Sequence, residues 1–309
     1  KLAWQVWIIL LRLLTSLGFL RILRLLWPKN PVVTFVIALM FVVYPGFTQL
    51  SSALTYSTYY LAFGIALLSI WLSLIAIDTR STSRIALIIT SILLSLLYMR
   101  IYPYMIGFEG VRFILIAYRY YQRKKAYLGA WMRVALPAWL PYILPLLVMA
   151  YWRFLAFPGS QTKTDLGLLR DMLAGDFSGS LGLLFYRGIT DFVKAVLGAW
   201  VLPLINGLRQ SSWGEMIFAA ALGLLALSIA WIALSMLDSY SESKTSVAKS
   251  PTRLREVIIV GVLWTFFTIL PVTLSTQFIT FNTPQDRFAL HTAGGAVILL
   301  VALLMLAVR

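Results

Sequence analysis

Glu109 and Arg112 stand three residues apart inside the apolar run 104–118, YMIGFEGVRFILIAY. On a helix that spacing puts both on one face, where they can pair. A carboxylate can serve as a base toward a hydroxyl acceptor. A guanidinium can grip a phosphate through two parallel N–H donors. Asp286 and Arg287 repeat the combination just before the last apolar run, Arg100 and Arg153 lie near the ends of others, and Arg187 falls inside the apolar stretch 180–205. Glu109 and Asp286 are therefore candidate catalytic carboxylates. Arg100, Arg112, Arg153, Arg187 and Arg287 are candidate ligands for a lipid phosphate. Tyr44, Phe47, Tyr56 and Tyr102 fall near the same ends and could stack on sugar faces, with Tyr59, Tyr60, Tyr104 and Trp152 close by. Each has a plainer reading. The aromatics fit an interfacial belt, Glu109–Arg112 a structural ion pair, Asp286–Arg287 a solvated loop start, and His291 a satisfied polar residue at a helix end.

Composition removes other chemistries. There is no cysteine, hence no disulfide and no thiolate. His291 is the only histidine, which excludes bis-histidine haem ligation and a histidine-rich metal site. No cofactor is expected, and a divalent ion stays open. The chain has no phosphate-binding glycine loop, nucleophile elbow or paired-histidine motif. Its formal charge is +15, with the excess in short loops between apolar runs. That placement follows the positive-inside rule and contact with anionic lipid, and it argues against nucleic acid as a partner.

The elements that must position these residues are membrane helices. Of 309 residues, 61% are hydrophobic, and about nine windows are long and apolar enough to enter a bilayer. The expected fold is an all-α, polytopic transmembrane bundle forming a single domain over 1–309. Its segments are 3–26, a short 31–45, 54–77, 85–102, 104–118, 134–157, 216–237, 256–275 and 289–308. Pro137, Pro141 and Pro145 should kink or delay the sixth. Arg119, Arg123, Lys124, Lys125 and Arg133 form the densest basic cluster. The loops 119–133 and 238–255 are assigned to the cytoplasm, the second as a mobile loop, which makes the protein integral to a plasma (inner) membrane. Residues 158–207 carry Asp165, Asp171, Asp176 and Asp191 among apolar residues. Within them 180–205 could span by length, but a full span would place the basic 244–255 loop outside. An amphipathic or re-entrant insertion on the outer face keeps the charges consistent.

The stretch Asn30 to Ile77, with FVVYPGFTQLSSALTYSTYYLAFGIALLSIWLSL at 41–74, together with Glu109-Gly110-Val111-Arg112, WLPYILPLLVMAYWRF at 139–154, and Asp286-Arg287-Phe288-Ala289-Leu290, resembles the polytopic bacterial glycosyltransferases of the GT-C type. The resemblance implies transfer of a sugar from a polyprenyl-phosphate donor on the exoplasmic face, by displacement at the anomeric carbon. It carries over to Glu109, Arg112, Arg153, Asp286 and Arg287. It also implies a catalytic carboxylate in the first outer loop. Lys1 to Arg12 supplies no Asp or Glu, so that element either precedes this chain or has been lost. Membrane lipids and a polyprenyl-phosphate-linked sugar are the expected partners. A second expectation is a non-catalytic subunit of a larger membrane assembly, with other membrane subunits as partners. A transporter, suggested by breaks at Pro103, Pro141 and Pro271, ranks third because no inverted repeat is visible.

Overall fold

A computed structural model describes residues 2–48, 53–80, 82–124, 128–152, 169–244 and 254–307. Among them there are helices and connecting turns and no strand. In hydrocarbon each backbone N–H must find its partner within the segment, and apolar runs of this length satisfy that only as helices. The helices are α1 (Leu2–Leu26), α2 (Pro31–Val42), α3 (Ala53–Asp78), α4 (Thr82–Ile101), α5 (Gly107–Lys124), α6 (Leu128–Trp139), α7 (Ile143–Tyr151), α8 (Phe177–Val193), α9 (Ala199–Gln210), α10 (Trp213–Lys244), α11 (Leu254–Leu274) and α12 (Arg287–Ala307). Among the described residues eight stretches are long and apolar enough to cross a membrane, with α2 a shorter apolar helix. The protein is an integral, multi-pass, all-α membrane protein.

Proline and charge account for the irregular elements. Pro31 opens α2 at a position where its missing N–H costs nothing. Pro141 sits in a 3₁₀ turn at Leu140–Tyr142 that divides the expected 134–157 segment into α6 and α7. Within the expected 158–207 insertion, residues 169–175 are helical and α8 continues through a widened π turn, Lys194–Gly198, into α9; residues 158–168 lie outside the described residues. Asp176 caps α8 by accepting from the Gly179 N–H at 3.0 Å. That bond, and next the Ser178 hydroxyl, hold its carboxyl below the ordinary carboxylate range. The loop expected from 238 begins as helix, because α10 runs on to Lys244; 245–253 lie outside the described residues.

The bundle has two ends. At one, Arg119 donates to the Leu25 carbonyl at 2.7 Å and pairs with Asp78 at 2.8 Å, and Arg123 pairs with the same carboxylate. Trp27 donates to Tyr118, whose hydroxyl donates to Glu256, each at 2.9 Å. The last turns of α1, α3 and α5 and the first turn of α11 are thus tied together, with Arg24, Arg80 and Arg255 beside them in the chain. At the other end, the loop after α11 is held by α8: Asp191 accepts from the Ile279 N–H at 3.1 Å, and Lys194 donates to the Ile279 carbonyl at 2.9 Å. We call these the Asp78 end and the Asp286 end.

The core is centred on α12, which is buried from Phe288 to Leu299. It packs along α11 at backbone contact. A Cβ on Gly295 would lie 2.5 Å from the Thr265 backbone nitrogen, and one on Gly261 2.8 Å from that of Leu299. Phe19, Phe41, Phe63, Phe108 and Trp264 fill the centre in a chain of ring contacts, with centroids 4.7–6.4 Å apart. In contrast, α10 has no buried residue in its apolar window, and its exposed Leu, Ile and Trp side chains suit lipid as solvent.

Candidate functional site

Besides the Asp191–Lys194 pair that holds the loop after α11, two groups of ionisable side chains stand out inside the bundle among the described residues. The first is built on α5. Gly107 starts that helix against α11, where a Cβ would meet the Phe267 carbonyl oxygen at 2.3 Å. Glu109 falls in its first turn, where a negative charge meets the positive end of the helix dipole. Arg112 follows one turn later. Their side chains are 1% and 0% exposed, and Arg112 Nε lies 3.0 Å from Glu109 Oε2. Tyr98 donates its hydroxyl to Glu109 Oε1 at 2.7 Å.

The remaining guanidinium donors meet three serines. Arg112 Nη1 donates to Ser91 Oγ at 2.5 Å, and Nη2 donates to Ser69 Oγ and Ser95 Oγ, each at 2.7 Å. Each serine gives its own proton to a backbone carbonyl: Ser69 to that of Ser91, Ser91 to that of Ser69, and Ser95 to that of Ser91. Their oxygens therefore present lone pairs to the cation. The Tyr142 ring closes the site, 4.4 Å from the guanidinium carbon. A buried charge pair is tolerable only when it is well partnered. Here serines of α3 and α4 accept from the Arg112 Nη atoms, Tyr98 of α4 donates to Glu109 Oε1, the two charges face each other at 3.0 Å, and Tyr142 covers the guanidinium.

The second group lies at the Asp286 end. Asp286 is buried, and its Oδ2 accepts from both the backbone N–H and the hydroxyl of Thr48, at 3.0 and 2.5 Å. Thr48→Val removes the hydroxyl donor. It is expected to cost about 2 kcal/mol in detergent unfolding followed by tryptophan fluorescence, the usual penalty for stripping a hydrogen bond from a charged group.

Arg287 faces elsewhere. Its Nη1 donates to Tyr59 Oη at a long 3.3 Å, and its guanidinium carbon is 5.1 Å from the Phe288 ring centre. Tyr59 meets Tyr102 edge-on at 4.5 Å, Tyr102 meets Tyr104 at 5.4 Å, and His291 lies under Tyr102 at 4.9 Å. Arg287, Tyr59 and Tyr104 are half-buried, while Tyr102 and His291 are buried. This is a cage with a partly open rim and a closed floor. Among the described residues no carboxylate pairs with Arg287.

The other sequence candidates disperse. Arg100 stacks 4.2 Å over Trp152 at the exposed end of α4. Arg187 is half-buried on α8, and Arg153 lies outside the described residues. Tyr44 donates to the Ala195 carbonyl at 2.8 Å. Phe47 packs edge-on against Tyr56 and Tyr60 at 5.5 and 5.7 Å, and all three are buried. Of the stacking set Tyr44, Phe47, Tyr56 and Tyr102, only Tyr102 lines the Arg287 cage, with Tyr59 and Tyr104 completing its rim. Among the described residues no three of His, Cys, Asp and Glu come together as a metal site would require. Sequence reasoning missed Ser69, Ser91, Ser95, Tyr98 and Thr48. Ser91 and Ser95, one turn apart on α4, are the only signal that could have pointed to a polar stripe.

No family model matches the chain, and no curated protein or solved structure does.

Proposed function

We propose that the chain binds the phosphate of a lipid-linked sugar at Arg287, in the manner of the GT-C transferases it resembles. The observation that carries this is the state of Arg287. It is a permanent cation in the first turn of a membrane helix, half-open, ringed by tyrosines and without a carboxylate partner among the described residues. An anion entering at the rim gains a bidentate contact, and tyrosine rings beside it suit an attached sugar. Asp286, next in the chain, is the candidate base. By the positive-inside rule the Asp78 end, with its arginines, is cytoplasmic and the Asp286 end exoplasmic.

A second reading, a non-catalytic subunit, is favoured by the carboxylates. Glu109 is enclosed by Tyr98 and Arg112, and Asp286 is held by Thr48. One experiment addresses both. The protein is reconstituted in nanodiscs and titrated with polyprenyl phosphate and with the matching polyprenol. Preference for the phosphate, weakened about tenfold or more in Arg287→Gln, is expected from loss of a charge-assisted bidentate contact. Equal affinity of the two proteins for the phosphate overturns the reading. Sugar transfer by the purified protein from a polyprenyl-phosphate-linked sugar then supports the transferase, and binding without transfer supports the subunit.

A further inference from the structure

Among the described residues only two have a positive φ, and both stand in the loop between α11 and α12: Thr276 at 60° and Asn282 at 61°. Asparagine enters the left-handed region readily, and a β-branched residue does not. Thr276 is there because it ends α11. Its N–H donates to the Thr273 carbonyl at 3.0 Å, and the Gln277 N–H donates to the Val272 carbonyl at 3.2 Å. That pair of bonds is a helix stop that ordinarily takes glycine at the left-handed position. Holding threonine in it disfavours the conformation by roughly five- to thirtyfold.

Strain of this kind persists only where the surroundings impose it. Here they do so midway between the two left-handed residues. Ile279 is buried, Asp191 Oδ1 accepts from its N–H at 3.1 Å, and Lys194 donates to its carbonyl at 2.9 Å. The two side chains are 3.7 Å apart. Phe281 lies against the widened turn that Lys194 begins, since a Cβ on Gly198 would sit 3.6 Å from its ring. The grip has a cost of its own, because Asp191 is buried and its Oδ2 has no partner.

Beyond Asn282 the loop runs into the turn that carries Asp286 and Arg287. The Thr283 hydroxyl donates to the Thr280 carbonyl at 2.9 Å and accepts from the Gln285 N–H at 3.3 Å. The Asp286 N–H donates to the Thr283 carbonyl at 3.0 Å, and the Asp286 carboxylate accepts from Thr48. The hold on Ile279 therefore reaches the first turn of α12 within eight residues, through bonds that each neighbour shares.

We propose that residues 276–282 form a strained strap with two positions, clamped on Asp191 and Lys194 or released, and that release loosens the turn that aims Arg287. Release frees Thr276 from its left-handed conformation, so its strain sets the balance between the two positions. Asp191 and Lys194 are positioning residues, acting on Arg287 through Ile279 and Thr283. That the strap governs when an anion is held rests on the phosphate reading above; the strap itself does not.

The test is amide hydrogen exchange of the full 15N-labelled chain in nanodiscs, followed at the N–H groups of Ile279, Asp286 and Thr48. Release predicts that the three exchange together, at least about tenfold faster than the buried amides of α12. Thr276→Gly takes up the same φ without strain and should slow all three by roughly fivefold or more. Thr276→Asn should slow them by less, and Lys194→Met, which removes one hold on Ile279, should hasten them. Exchange of the three only together with α12, or rates unchanged in Thr276→Gly, overturns the proposal. So does a response at Ile279 that Asp286 and Thr48 do not share. Inorganic phosphate separates the strap from the phosphate reading. Slower exchange of the three amides on adding it, lost in Arg287→Gln, supports a strap that closes with the cage, and phosphate binding without slowing overturns it. If phosphate does not bind, the phosphate reading falls and the strap is judged on the Thr276 and Lys194 variants.

Discussion

Arg112→Ala is expected to destabilise the bundle by about 3–5 kcal/mol, the range for removing one partner of a buried ion pair. The reason is what it leaves behind. Glu109 keeps its burial and its Tyr98 contact but loses its counter-charge, and the oxygens of Ser69, Ser91 and Ser95 lose the donors they face. Arg112→Lys recovers little, because a single ammonium cannot reach Glu109 and three hydroxyls on diverging vectors. The paired replacement Glu109→Leu with Arg112→Met removes both charges at similar volume and should regain much of the loss, as apolar substitutes for buried pairs do. Thermal unfolding in detergent, read by the tryptophans, measures all three variants. If Arg112→Ala instead unfolds at the wild-type temperature while lipid binding disappears, Arg112 is a ligand for substrate and its contacts with Glu109 and the serines are not what holds α3, α4 and α5 together.

Gly295→Ala should be nearly as damaging, at about 3 kcal/mol, the upper part of the range for overpacking. The new methyl would sit 2.5 Å from the backbone nitrogen of Thr265 and 2.6 Å from its Oγ1. Backbone cannot swing aside as a side chain can, so α11 and α12 must separate along their contact. Gly294→Ala is the internal control. It gains the same helix propensity, about 1 kcal/mol, but its Cβ meets the edge of the Trp264 ring at 3.0 Å. It should cost clearly less than Gly295→Ala. Equal effects at 294 and 295 would mean that general crowding, and not the backbone approach at Thr265, sets the penalty.

The fold was largely legible because a membrane helix announces itself by length and hydropathy alone. The expected segments 54–77, 85–102 and 256–275 fall within a few residues of Ala53–Asp78, Thr82–Ile101 and Leu254–Leu274. The limits of that signal are equally physical. Residues 158–207 mix acidic and apolar residues, so neither hydropathy nor charge alone chooses between insertion and span, and nothing local in the sequence marks the widened turn at Lys194–Gly198. Of the candidate site, what is local could be read. Glu109 and Arg112 pair because they are three residues apart. What is distant could not. Nothing in Thr48 marks it as the partner of Asp286, 238 residues on. Nothing in Ser69 marks it as a ligand for Arg112, and Tyr102 and His291 meet only because the end of α4 and the start of α12 lie side by side. Helical periodicity carries no information about which helix faces which.

The Arg112 network also orders events while the chain is being made. With five charged residues in eighteen, α5 is not among the helices apolar enough to cross a membrane by composition. It cannot partition into lipid on its own account. Its acceptors precede it: Ser69 on α3, then Ser91, Ser95 and Tyr98 on α4, all leave the ribosome before Glu109 and Arg112 do. The receptor for the cation is therefore synthesised before the cation. α5 enters the bilayer as the third member of a group whose first two members already offer the hydroxyls that replace its water. A truncation or swap that delays α3 or α4 relative to α5 would strand two charges at the translocon, and insertion would fail there without any residue of α5 having been changed.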